Sequence, residues 1–333
     1  GYQLAAGETI PTTLSDKTEI RVINIKKNTQ FDEIKSELDA IGFKGNASIY
    51  KDGKNVLNYT TANNSNTSYL INSVQKPFTS TLLMLAVKDK KINLDDKLSK
   101  YYPNISNSDK ISIMQLLEMK SGLKYTGKSY STDPFISDEK NIEYDSKYIT
   151  FNPLKYNNWD YEDINYIILS HILEKVENDS YQNLFKKNFI DKLSLKESGF
   201  ALDPSSELEK INFVKEKQNN IDMLDMHGSI GAAGVIMSND DLYKTLSAIL
   251  SDDYLNSSDR NTIFNLSNVN GNYRGGFYNY HGFLASNGGG YHYNTFVRIS
   301  KDGKNAIIMQ TNSGHSWSKE SSVAYKIYHQ MFK

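Results

Sequence analysis

The pentapeptide Lys-Asp-Gly-Lys-Asn occurs twice, at Lys51–Asn55 and at Lys301–Asn305. Each copy separates two β-rich runs, Asn46–Tyr50 from Val56–Thr60 and Thr295–Ser300 from Ala306–Thr311. Asp-Gly between such runs signals a hairpin, because both turn positions need a left-handed backbone that Asp and Gly tolerate. No 20–50-residue period accompanies the two copies, so they share turn chemistry and do not mark a repeat architecture. Strands therefore sit at both ends of the chain. Between them, Phe78–Val87, Ile111–Met119, Ile164–Val176 and Asp240–Leu250 carry apolar residues at helical spacing or nearly all round, and an amphipathic stretch, Lys319–Phe332, closes the chain. The expected fold is of the mixed α/β (α+β) class. One antiparallel sheet, built from the N- and C-terminal hairpins, is flanked by helices and packs beside a mostly helical insertion.

Composition narrows the partners. With 333 residues, 38% hydrophobic and 23% charged, the chain can bury a large core, and a net charge of -1 offers no field for a nucleic acid or an anionic membrane. The absence of cysteine excludes disulfides, thiolate metal sites and a cysteine nucleophile, and it is compatible with export. No run of 18 apolar residues and no signal peptide are visible, yet the chain opens at Gly1 without methionine. This reads as a trimmed or mature fragment of an exported protein, and whether a signal peptide or membrane anchor precedes Gly1 stays open at this point. Residues 1–30 are polar and weakly periodic and read as a tail or stalk. Residues 31–333 read as the domain, with a sheet lobe near 40–72 and 265–333 and a helical lobe near 73–264.

Five Ser-x-x-Lys tetrads occur, at Ser48, Ser73, Ser121, Ser137 and Ser316, so the bare pattern carries little weight. Context separates them. Only Ser73 opens a helix whose next turns, Phe78 and Leu82–Val87, are apolar almost all round, the mark of a helix in the protein centre. There Lys76 lies one turn on and on the same face as Ser73. Burial is expected to lower its pKa and make it a base near neutral pH, while the helix N-terminus favours an alkoxide at Ser73. The competing reading makes Ser73 an N-cap and Lys76 a surface residue that snorkels to water.

Five segments in order decide between the two: INSVQKPFTSTLL, KINLDDKLSKYYP, ISIMQLLEMKSGLKY, YEDINYIILSHILEKV and GAAGVIMSNDDL. Together they resemble the serine β-lactamase and penicillin-binding-protein superfamily, in its class C β-lactamase-like branch, over roughly residues 40–333. The resemblance implies Ser73 as nucleophile and Lys76 as base, with Tyr161 sharing proton transfer in a Tyr-x-Asn-like motif that ends here in Asp163. It implies a third motif at Ser286-Asn287-Gly288, continued by Gly289 and Gly290, whose glycines admit substrate close to the backbone and whose N–H joins that of Ser73 in an oxyanion hole. Against these stand an aromatic core role for Tyr161, an N-cap role for Asp163 and a hairpin loop at 286–290. Gly231–Gly234 reads as a tight turn.

Two departures from the family pattern point the same way. The third motif has the neutral Ser286 where relatives carry Lys or His, which removes a clamp for a substrate carboxylate, and the second ends in Asp163, which favours a cation. Tyr-x-Asp with Asn-Gly-Gly resembles the D-alanyl esterases of Gram-positive teichoic acids. The expected activity is thus an extracellular, cell-wall-associated serine esterase that removes D-alanine from teichoic or lipoteichoic acid, with Asp163 holding the substrate ammonium. The alternatives are a D,D-carboxypeptidase, endopeptidase or weak β-lactamase on peptidoglycan, and an inactive module that binds a wall polymer. His171, His227, His281, His292, His315 and His329 show no ligand spacing, so neither a metal nor another cofactor is expected.

Overall fold

The computed structural model describes residues 2–4, 17–61, 64–128, 138–201, 211, 213, 228–267, 272–312 and 316–333. Eight of the described strands form one antiparallel sheet. In spatial order they are β1 (Tyr2–Leu4), β3 (Lys54–Thr60), β2 (Gly45–Lys51), β13 (Ala306–Thr311), β12 (Tyr293–Ile299), β11 (Phe283–Gly290), β10 (Phe277–Tyr280) and β9 (Tyr273–Arg274). The two Lys-Asp-Gly-Lys-Asn copies close two of its hairpins by different means. At the first, Asp52 and Gly53 both take positive φ, 52° and 81°, and form the tight turn. At the second only Gly303 does so, and Asp302 accepts from the Ser300 hydroxyl and the Lys304 N–H, which organises a longer loop that Tyr243 caps by donating to the Gly303 carbonyl.

N- and C-terminal hairpins meet where β2 pairs with β13, so the two ends of the chain share one sheet. Both faces of that sheet are buried, and strand alternation divides them. On β13, Ile307 and Met309 face one core with Ala47, Ile49 and Leu57, under helices α1 (Lys17–Ala40, through Phe31, Ile34 and Leu38) and α9 (Trp317–Phe332, through Ala324 and Ile327). Ala306 and Ile308 face the other core, which continues into the helical lobe. The tail expected over 1–30 gives way to β1, paired with β3, and to α1 from Lys17, since a helix anchored by Phe31, Ile34 and Leu38 extends upstream at little cost once nucleated. Residues 5–16 lie outside the described residues.

The helical lobe is built around α2 (Lys76–Lys88), buried from Lys76 through Met84 and packed on α5 (Ile164–Glu177). Around this pair stand α3 (Ile113–Leu117), α4 (Asp138–Ser146), α6 (Tyr181–Phe185), α7 (Asn239–Ile249) and α8 (Ser257–Phe264). Helix α3 is shorter than its apolar spacing suggests: a Ser112–Gln115 capping box starts it, and positive φ at Met119 prevents it from running on. A small sheet of β4 (Ser68–Leu70), β8 (Val235–Ser238) and β7 (Gly199–Phe200) bridges the lobes. The Tyr125–Trp159 stretch, which has no regular sequence pattern, contains β6 (Ile149–Tyr156), whose partner is β5 (Ser121–Tyr125). Residues 129–137 of that stretch lie outside the described residues.

Candidate active site

Ser73 lies on a 3-10 turn, Asn72–Gln75, that leads directly into α2. Its hydroxyl caps neither helix: the residue before the turn is Ile71, and the residue before α2 is Gln75. Asn72 takes φ 50° and donates through its side-chain amide to the carbonyls of Gly290 (3.3 Å) and Tyr293 (3.2 Å), which ties the turn to the end of β11 and the start of β12. Gln75 holds it from below, accepting from Val235 N–H at 3.0 Å and donating to the Ile230 carbonyl. The Gly231–Gly234 segment is thereby a turn that wraps the start of α2, with the Gly231 carbonyl accepting from Thr79 at 2.7 Å.

Lys76 is fully buried and does not snorkel. Its Nζ donates to Ser73 Oγ at 2.8 Å and lies 2.7 Å from Asp163 Oδ1 and 4.9 Å from the centroid of the Tyr161 ring. Asp163 stands at the residue before α5, where its carbonyl accepts from Tyr166 and Ile167, but its carboxylate makes no cap bond and turns to Lys76 instead. The depressed lysine expected from burial is not what results. Burial lowers the Lys76 pKa, but Asp163 and then Tyr161 more than offset it, and the ammonium is held above the ordinary lysine range. The same ion pair changes the place of Asp163. In the free protein it neutralises Lys76, although its side chain keeps 41% exposure to solvent.

The third segment is a strand, not a loop: residues 286–290 belong to β11 and pair with β12 through Gly290. Strand period 2 splits it between two faces. A Cβ on Gly288 would meet the Ile71 carbonyl oxygen at 2.2 Å and Ser73 N at 3.0 Å, so Gly288 backs onto Ser73. Ser286 shares that face and is buried. A Cβ on Gly289 would instead meet the Trp317 ring at 2.6 Å, on the α9 side. Asn287 points the same way and accepts from the Arg298 guanidinium at 2.7 Å, so its side chain is turned away from Ser73 and the substrate contact expected of it is corrected. Pairing with β10 ends at Ala285, and beyond it β11 packs against the 3-10 turn of Ser73.

Sequence reading missed Asn72, Gln75 and Arg298. Arg298 had a signal: a charge in a strand whose two faces must both be apolar. It is fully buried, donates to Asn287 and Ser321, and lies 4.1 Å from the centre of the Tyr325 ring. Desolvation pulls its pKa down to about 10. Among the described residues no group of three or more His, Cys, Asp or Glu is placed to hold a metal; His227 and His315 lie outside them.

The structure thus sets Ser73, hydrogen-bonded to the buried Lys76, at the entry to a central helix and against a strand edge, between an antiparallel sheet and a helical lobe. The chain belongs to the beta-lactamase family, whose sequence profile matches residues 37–329. Over 94% of its length it is 24% identical to a putative penicillin-binding protein, PbpX, of Bacillus subtilis, covering 80% of that protein. It is 30% identical to the teichoic acid D-alanine hydrolase of Staphylococcus aureus over 55% of this chain, which spans only 47% of that protein. In three dimensions it superposes on FmtA of Staphylococcus aureus with a TM-score of 0.77 at 24% identity, covering 91% of this chain and 88% of that one. The TM-score with a class C β-lactamase is 0.69 at 18% identity, over 91% of this chain and 97% of that one. The fold is therefore class C β-lactamase-like.

Proposed function

We propose that the protein is a cell-surface serine hydrolase that removes D-alanyl esters from teichoic or lipoteichoic acid through an acyl-enzyme at Ser73. The observation that carries the hydrolase reading is the chain of contacts from Ser73 Oγ through Lys76 Nζ to Asp163, 2.8 Å and 2.7 Å. Because Lys76 rests as an ammonium, it works as a relay: as Ser73 Oγ bonds to the ester carbonyl, its proton passes to Lys76 as Lys76 hands one to the solvent-facing Asp163. Return of a proton along the same path releases the polymer alcohol. Water then attacks the acyl-serine, freeing D-alanine and restoring the hydroxyl. The N–H groups of Ser73 and of the Gly288–Gly289 strand edge supply the oxyanion donors, and Tyr161, beside Lys76, shares the proton transfer.

The choice of ester rests on charge. The third motif offers Ser286 where a carboxylate clamp would stand, and the arginine on the neighbouring strand, Arg298, is engaged with Asn287 and Ser321 on the far face of the sheet. A substrate without a free carboxylate suits such a site, and the name of the staphylococcal relative agrees with it. The test is release of free D-alanine from purified D-alanylated lipoteichoic acid by the wild type and Ser73→Ala, run beside a chromogenic cephalosporin and an acyl-D-Ala-D-Ala peptide. Ser73-dependent release with the two carboxylate-bearing substrates intact supports the esterase. Peptide cleavage without ester release makes it a peptidoglycan enzyme, and inactivity on all three makes it a binding module.

A further inference from the structure

The loop entering α5 and the β9–β10 hairpin meet in a cluster of four aromatic rings beside the nucleophile, and the chemistry above uses only one of them. Trp159 lies with its ring centre 6.4 Å from that of Tyr161, 6.4 Å from Tyr273 and 6.1 Å from Tyr278. Tyr161 and Tyr273 are 5.9 Å apart, Tyr273 and Tyr278 5.0 Å. Tyr273 is buried and forms the floor, Tyr278 is half-buried, and Trp159 is 46% exposed. Tyr161 joins the cluster to the reacting centre, since its ring already lies 4.9 Å from the Lys76 ammonium.

An indole so open to water is a poor core residue and a good ligand surface, because ring faces carry the negative part of the aromatic quadrupole and attract ammonium groups. Two observations favour a cation here over an anion or a bare polyol. Asp160 and Glu162 flank Tyr161 in the chain, neither is fully exposed, and both raise the negative potential around the rings. Asp163, the carboxylate otherwise suited to a substrate amine, is paired with Lys76 at 2.7 Å, so a second ammonium needs another partner. We propose that Trp159, with Tyr161 and Tyr278, forms the subsite that receives the free ammonium of an aminoacyl ester; this rests on the esterase reading above.

The test compares 1-O-D-alanylglycerol with its N-acetyl counterpart, which differ in the charge on nitrogen. The chain has two tryptophans, and Trp317 lies on the opposite face of the sheet against Phe296, so Trp317→Phe leaves Trp159 as the sole indole. Protein in that background is made with tryptophan, 5-fluorotryptophan and 5,7-difluorotryptophan, which weaken the ring's attraction for cations while nearly keeping its shape. The ratio of kcat/KM for the ammonium ester to that for the N-acetyl ester is expected to fall stepwise with fluorination, and by about three- to thirtyfold in Trp159→Leu, mostly through KM. A ratio that stays constant while both esters turn over overturns the proposal, as does an equal loss on both, which would assign the indole to the alcohol. Titration of the Ser73→Ala, Trp317→Phe protein with D-alaninamide separates this from the esterase reading. Saturable quenching of Trp159 emission without turnover of either ester by the parent keeps the subsite and sinks the esterase, and no quenching sinks the subsite.

Discussion

Replacing Gly288 by alanine asks whether the strand edge beside Ser73 is part of the reacting geometry. The backbone of Gly288 needs no left-handed conformation, so the substitution acts only through the added methyl. That carbon would stand 2.2 Å from the Ile71 carbonyl oxygen and 3.0 Å from Ser73 N, and both neighbours are main-chain atoms that cannot rotate away. Asn72 fixes the turn to the end of β11 and to β12, so the turn and the strand must separate against those bonds. Relief needs a shift of about 1 Å, and a misplacement of that size costs about a hundredfold in rate. The assay is kcat/KM for D-alanine release, with thermal unfolding followed in parallel to show that the fold persists. A Gly288→Ala enzyme with wild-type kcat/KM and an unchanged rate of labelling by a serine-reactive fluorophosphonate would refute the role of this edge.

Asp163→Asn removes the carboxylate that takes the relayed proton and holds the Lys76 ammonium: kcat is expected to fall about a hundredfold, and the Lys76 pKa, followed by NMR titration, to drop from its raised value, because Asp163 is foremost among the groups that offset burial. An unmoved lysine pKa would show that the ion pair does not set the protonation of Lys76. In the wild type the raised lysine adds stability at pH values below its unfolded pKa, lost as pH rises through the folded value, so the stability deficit of Asp163→Asn should close only in strong alkali, as read by urea unfolding. Asn287→Ala strips an acceptor from the buried Arg298 and should cost about 2 kcal/mol in stability, with a smaller effect on KM, since the side chain faces α9; a large KM effect with no loss of Tm would reverse that placement. Glu320 is buried with Asn294 donating to it, and burial lifts its pKa from 4.5 to about 7. Its folded value is raised, so stability falls as pH climbs from about 4.5 to 7. Glu320→Gln should therefore gain about 2 kcal/mol at pH 8 and nothing at pH 4, measured by Tm across pH.

The sheet, the helices and the juxtaposition of Ser73 with a buried Lys76 were legible because each is a local pattern with one physical cause. Asp-Gly between β-rich runs makes a hairpin wherever it occurs, and a helix apolar all round must be buried, which carried Lys76 inside with Ser73 one turn away. The order of the motifs likewise implied the family. Partnership was not legible. Asp163 reads as a cap or a substrate anchor, and only the packing of α5 on α2 brings its carboxylate to Lys76, which reverses the direction in which burial alone would shift that lysine. Which face of β11 meets Ser73 was closed for a similar reason: alternation fixes that Asn287 and Gly288 differ in side, but not which of them faces Ser73. The sequence by itself determined which elements form and which residues leave water. Tertiary structure alone decided which charges and backbone atoms they meet, because those neighbours come from segments about 90 to 220 residues away, and no local periodicity encodes such distances.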